Sequence, residues 1–175
     1  GCTLTTYLMN QPAMAEKIHA CIFLSPNFRI RSPFGFLLTW PFADKWIHVI
    51  LGKERSWEPI SEQQAIAWTH RYSTLALIEM QKAVDFAARL DYGRFNTPLA
   101  MMYMQNDTTI HPESAIEVFN RWGARSKTLI RVEPDGEAEE HVFVGDIVAP
   151  QRLDWCLERI NQFLDDLGTE GKEQT

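Results

Sequence analysis

The chain is short of cysteine, of basic charge and of long apolar runs, and each shortage removes a class of protein. Its three cysteines, Cys2, Cys21 and Cys156, are odd in number and lack C-x-x-C or any similar spacing, so neither a disulfide scaffold nor a zinc site is supported. Such usage fits a reducing, cytoplasmic compartment. Lys and Arg total 17 against 23 Asp and Glu, a formal charge of −6 that argues against nucleic acid or an anionic membrane surface as the main partner. No stretch approaches the roughly 18 to 20 uninterrupted apolar residues that cross a bilayer. The nearest, Phe34 to Ile50, is broken by Pro41, Asp44, Lys45 and His48. A charged and then apolar leader is also missing, so no export signal is visible, and the chain reads as a piece of something longer.

What is present suffices for one domain with a real core: 175 residues, 45% apolar and 11% aromatic. Leu4 to Met9 and Ala13 to His19 read as a helix interrupted at Pro12. Ala20 to Leu24 is an apolar run without polar alternation, the pattern of a strand covered on both faces, and Ser25-Pro26-Asn27 ends it. Leu99 to Met104 repeats that pattern and stops at Asn106-Asp107. Thr128 to Val132 is a third strand. Between the strands, helical spacing runs from Glu62 to about Leu90, as two helices meeting near Tyr72-Ser73, and from His111 to Trp122, with Gly123 as the stop. The last helix carries Leu153, Cys156, Ile160, Phe163, Leu164 and Leu167 at i, i+3, i+4, i+7 spacing and should end at Gly168.

Residues 28–63 differ in texture. Phe28, Phe34, Phe36, Trp40, Phe42, Trp46 and Trp57 lie among prolines and basic residues with no sustained period, which reads as a lid or cap leaving the sheet. Phe36, Trp40 and Trp46 are candidate walls of a substrate pocket; a small core belonging to the cap itself is the competing reading. Strands alternating with helices predict an α/β fold with a parallel sheet, in which function gathers at the carboxyl ends of strands. Asn27, Asp107 and the loop carrying His141 all fall at that edge.

A histidine serves as a general base near neutral pH when an acceptor holds one ring nitrogen and leaves the other facing a nucleophile. Asp107 is suited to orient His141 and to stabilise its imidazolium, which Asn106 would do poorly. Each residue has an ordinary alternative, as turn chemistry or as a solvated side chain. Their order, acid and then histidine after consecutive parallel strands and before a long amphipathic helix, is the specific feature. His19, His48, His70 and His111 show no ligand spacing, and no metal or cofactor is implied.

Together these segments resemble the α/β-hydrolase family, in its monoacylglycerol lipase and carboxylesterase branch. The likeness is carried by the helix Leu4 to Pro12, by Ile22-Phe23-Leu24-Ser25-Pro26, by Tyr72 to Ala88 before Thr97-Pro98, by Gln105-Asn106-Asp107-x-x-Ile110-x-Pro112, and by His141-Val142. It covers nearly the whole chain except the lid. The resemblance implies the carboxyl-terminal part of that fold, a three-strand parallel remnant with flanking helices and a lid insertion, forming one partial domain over residues 1–175. It also implies acyl transfer through an acyl-enzyme on an acylglycerol or simple acyl ester, with Asp107 and His141 as catalytic residues.

In that family the nucleophilic serine sits in G-x-S-x-G on a tight turn between strand and helix. Forcing Gly1-Cys2-Thr3-Leu4-Thr5 onto the pattern makes threonine the nucleophile and puts bulky residues where small ones are needed. A register that places the serine just before Gly1 is better, so no nucleophile is expected within the chain. Ala20 to Leu24 would then be an exposed apolar edge strand, inviting the N-terminal half of the same protein or another chain. The rival expectation is a non-catalytic α/β module that binds a partner through that edge.

Overall fold

The computed structural model describes residues 1–134 and 141–173, with side chains described up to Thr169. Most of the acidic loop expected over Glu133 to Glu140 lies outside the described residues.

The fold is α/β. Helices α1 (Cys2–Met9) and α2 (Pro12–Ala15) lead into strand β1 (Cys21–Leu24). The segment read as a cap over residues 28–63 follows, with helix α3 (Ala43–Leu51) and strand β2 (Glu54–Ser56); helix α4 (Glu62–Ala67) crosses its expected end, and strand β3 (Arg71–Ser73) lies beyond it. Helix α5 (Leu75–Ala88), strand β4 (Leu99–Met104), helix α6 (Pro112–Arg121), strand β5 (Lys127–Val132) and helix α7 (Leu153–Glu173) complete it. The main sheet is parallel in the order β1-β4-β5, with Cys21 opposite Leu99 and Leu99 opposite Lys127. Asp107 therefore follows the central strand, and Ser25 and Glu133 follow its two neighbours.

The continuous apolar run of β4 has a direct cause: all six of its residues are buried, because the sheet is covered on both faces. Leu99 and Met101 point into one core with Phe23, Tyr92, Val118 and Trp122. Met102 and Met104 point into another with Val132, Phe143 and Cys156 of α7. This alternation is the period of two that a strand imposes. Phe28, counted with the cap by sequence, belongs to the first core, where its ring lies 6.2 Å from Phe23 and 6.0 Å from Tyr92.

Other expectations change as well. The helix expected over Ala13 to His19 is a single turn that ends at Ala15. Arg71–Ser73 is not a helix junction but a strand, paired antiparallel with β2. Its residues are polar and largely exposed, so they carry no strand period. Gly123 does not end α6 by a left-handed turn, since Trp122 already leaves the helix in extended conformation. Instead its N–H bonds the Tyr92 carbonyl at 3.1 Å, and a Cβ at that position would stand 2.1 Å from the Gly93 oxygen. Glycine is needed there for close backbone approach. Finally, α7 runs past Gly168 to Glu173, a single glycine being tolerated within an otherwise continuous helix.

The cap has a small core of its own, made by Leu38, Ala43 and Ile47 against Ile78 of α5, with Trp46 packed at its side. Its root is tied to the main domain by main-chain bonds: Ile30 bridges Ile110, His111 N–H donates to Arg29 O at 2.8 Å and Arg31 N–H to Thr109 O at 3.1 Å.

Candidate active site

β4 ends at Met104, and the chain then turns so that the Asp107 carboxylate comes back beneath its own loop. Its Oδ1 accepts the main-chain N–H groups of Thr109 at 2.8 Å and Ile110 at 3.0 Å. An Asx turn of this kind is what Asn and Asp do after a strand. Here the turn consumes only one oxygen. The other, Oδ2, lies 2.7 Å from Nδ1 of His141. The Asp107 side chain is 1% exposed and that of His141 is 25% exposed, so the carboxylate is sealed while the imidazole still reaches the surface. Two residues 34 positions apart in sequence meet as an acid–histidine pair.

The pair is braced at its main chain as well. Arg31, from the cap root, donates through Nη1 to the Asp107 carbonyl at 2.5 Å. Ser25, at the tip of β1, donates through Oγ to the His141 carbonyl at 2.6 Å. Neither contact was visible in the sequence; the Ser25-Pro26-Asn27 turn was the only signal, and it pointed to a strand end rather than to a site.

A cavity of about 920 Å³ opens beside His141, lined by the apolar Trp57, Ile60, Trp68, Val142 and Val148 and by the polar Glu58, Gln64, Thr69 and Thr109. Trp57 stands edge-on to Trp68 at 6.0 Å and to His70 at 6.2 Å, so the β2–β3 part of the cap supplies the aromatic wall. The aromatics singled out in the sequence lie elsewhere. Phe36 lines a separate cleft of about 820 Å³ that does not include His141, and packs against the exposed Trp40 at 5.9 Å. Trp46 donates its indole N–H to Pro41 O at 3.1 Å and lines neither cavity. The sequence offered no way to rank Trp57 above them, because pairing of β2 with β3 is what swings it toward His141.

Of the other histidines, His111 precedes α6 with its ring 3.7 Å from Glu113, and His70 packs on Trp57. Among the described residues no three His, Cys, Asp or Glu side chains gather where a metal ion could be held. Cys2 lies against the Leu24 carbonyl at 4.0 Å, which sets the first turn of α1 at the tip of β1. Burial pushes the Cys2 thiol above its ordinary value, so it is held as the thiol and is a poor nucleophile. All three cysteines are free. No helix of the described residues is long and apolar enough to cross a membrane.

No protein-family model matches the sequence, and no curated protein does. Solved structures do match. A metagenome-derived lipolytic enzyme described with the pair LipS and LipT aligns with 94% of this chain and 61% of its own, at 15% identity and a TM-score of 0.61. The monoacylglycerol lipase of Paleococcus ferrophilus aligns over 92% of this chain and 63% of its own, at 17% identity and a TM-score of 0.64. A soluble variant of the Saccharomyces cerevisiae monoglyceride lipase, solved with a substrate analogue, gives 95%, 62%, 14% and 0.65 respectively. The chain thus has part of the α/β-hydrolase fold and spans about three fifths of the length of the solved structures it matches.

Proposed function

We propose that the chain is the carboxyl-terminal part of a serine hydrolase of carboxylic esters, acting on an acylglycerol or simple acyl ester. The observation that carries this reading is the 2.7 Å contact between Asp107 Oδ2 and His141 Nδ1. With Nδ1–H committed to the carboxylate, Nε2 is the ring nitrogen that takes a proton. In the first half of the reaction His141 removes the proton of a serine hydroxyl as it attacks the ester carbonyl, then gives that proton to the departing alcohol. In the second half it activates water in the same way to cleave the acyl-enzyme. Asp107 stabilises the imidazolium formed in each half. The two main-chain donors on Oδ1 keep the carboxylate from rotating away.

The serine is proposed to lie just upstream of Gly1. Two features support that position: Cys2 rests on the Leu24 carbonyl, so α1 starts at the carboxyl edge of the sheet, and His141 reaches the same strand tip through Ser25. The edge of β1 not paired with β4 would receive the N-terminal half of the same protein, which would also supply the oxyanion donors. The apolar wall of Trp57, Ile60 and Trp68 suits an acyl chain or a hydrophobic leaving group. Phe36, Trp40 and Trp46 are proposed as a more distant part of the cap surface. Three free thiols suit a reducing, cytoplasmic location.

The test is labelling of the full-length gene product with a fluorophosphonate. Asp107→Ala and His141→Ala should each lower the labelling rate by about 10³-fold or more, the order seen when a triad member is removed. Unchanged labelling in either variant would sink the proposal and favour a module that merely docks through β1. The 175-residue chain alone is expected to turn over no ester.

A further inference from the structure

The conformation of Ser25 is unusual in two ways. Its φ is 42°, a left-handed backbone that side chains beyond Cβ disfavour, and serine is not among the residues that visit it routinely. It also precedes Pro26, and a residue before proline is pressed toward extended conformations. The ladder continues through it regardless, since its N–H donates to Met102 O at 3.0 Å. Strain at one residue persists when the surroundings fix it, and the useful question is what it secures. Here the hydroxyl crosses the carboxyl edge of the sheet to the His141 carbonyl at 2.6 Å, a contact between residues 116 apart in sequence.

The sheet order shows why such a contact is needed. His141 follows β5, one edge of the sheet, whereas β1 is the other edge and β4 lies between them. Asp107, on the loop after β4, holds the imidazole at one atom, while the chain that follows is fixed in the second core only from Phe143, two residues on. A ring anchored only at Nδ1 can pivot about that bond, and Nε2 moves with it. Anchoring the main chain to the tip of β1 removes that freedom. It also draws the histidine toward the strand on which the first turn of α1 rests.

We propose that Ser25 is a positioning residue for His141, its hydroxyl fixing the histidine main chain at the tip of β1. The proposal rests on the hydrolase reading. Ser25 is not itself the nucleophile, because its hydroxyl is committed to a carbonyl rather than to the imidazole.

The experiment uses the full-length gene product and two variants. Ser25→Ala removes the hydroxyl and keeps the backbone strain; Ser25→Gly removes both. Hydrolysis of p-nitrophenyl butyrate, the downfield proton signal of His141 Nδ1–H and thermal unfolding are measured for each. The signal is assigned by its loss in Asp107→Ala. Both variants should lower kcat about tenfold with KM within about twofold of wild type, as expected for a misplaced base with binding intact. The imidazole signal should shift or broaden in both, although Ser25→Gly unfolds at no lower a temperature than Ser25→Ala. Ser25→Asn, which tolerates the left-handed backbone and carries an amide donor, should recover part of kcat. Wild-type kcat or an unmoved imidazole signal in Ser25→Gly overturns the proposal. If the wild-type protein hydrolyses no ester and carries no reactive serine, the hydrolase reading fails; the imidazole signal of Ser25→Gly then still decides whether Ser25 holds His141.

Discussion

β4 and the cap both carry large apolar side chains and use them in opposite ways. Every residue of β4 is buried, while Phe34, Phe36, Trp40 and Phe42 of the cap are each more than half exposed. The strand gains a neighbour on both edges and a core on both faces, so Asp107 emerges from a segment with little freedom. The cap rests on one small cluster against α5 and is tied down mainly at its root, near Arg31 and Ile110. The two regions thus divide into a strand covered on both faces and a more exposed, loop-rich segment, the division expected between a scaffold and the loops that it carries.

That contrast can be broken from the sheet side first. Leu99→Ala, at a fully buried position of the central strand, should cost about 2 to 5 kcal/mol in urea unfolding, with the whole transition displaced. A loss under about 1 kcal/mol would mean that the sheet is not the rigid partner. Gly123→Ala should cost less, about 1 to 3 kcal/mol, because a methyl group must push the Gly93 backbone away and lengthen the bond to Tyr92. Far-UV circular dichroism against denaturant reads this, and a neutral result would remove the close approach from the account of α6. On the cap, Phe36→Ser should stay within about 0.5 kcal/mol of wild type, since the side chain is 57% exposed. A large loss there would show that the cap's outer aromatics are structural.

The parts of the fold that were legible in sequence are those whose burial is strong and regular. β4 is legible at its observed bounds because coverage on both faces leaves no polar residue in it, and α7 is legible as a helix, though not at its end, because one stripe of it packs against Met102 and Phe143. Asp107 was legible for a related reason: an Asn-Asp pair closing a buried strand is a turn with a carboxylate at a sheet edge. What escaped depends on contacts distant in sequence. β3 is held by pairing and by the Arg71–Glu54 ion pair rather than by its own pattern. Gly123 answers to the backbone of Gly93. Trp57 became a neighbour of His141 only through the β2–β3 pairing, and Ser25 gave no sign of its partner beyond the turn it begins.

The reach between Ser25 and His141 also bears on the order in which the molecule is made. They are 116 positions apart, and the chain between them must run through the cap, β4 and β5 before the two can touch. Closing so long a span is entropically costly and is rewarded only late, as in other folds dominated by non-local parallel pairing. Pairing of β4 with β5 can bring Asp107 and His141 together across 34 positions, but the Ser25 contact must wait for β1 to join β4. The Ser25–His141 bond is therefore expected later in folding than the acid–histidine pair, and it would report completion of the sheet rather than the onset of structure.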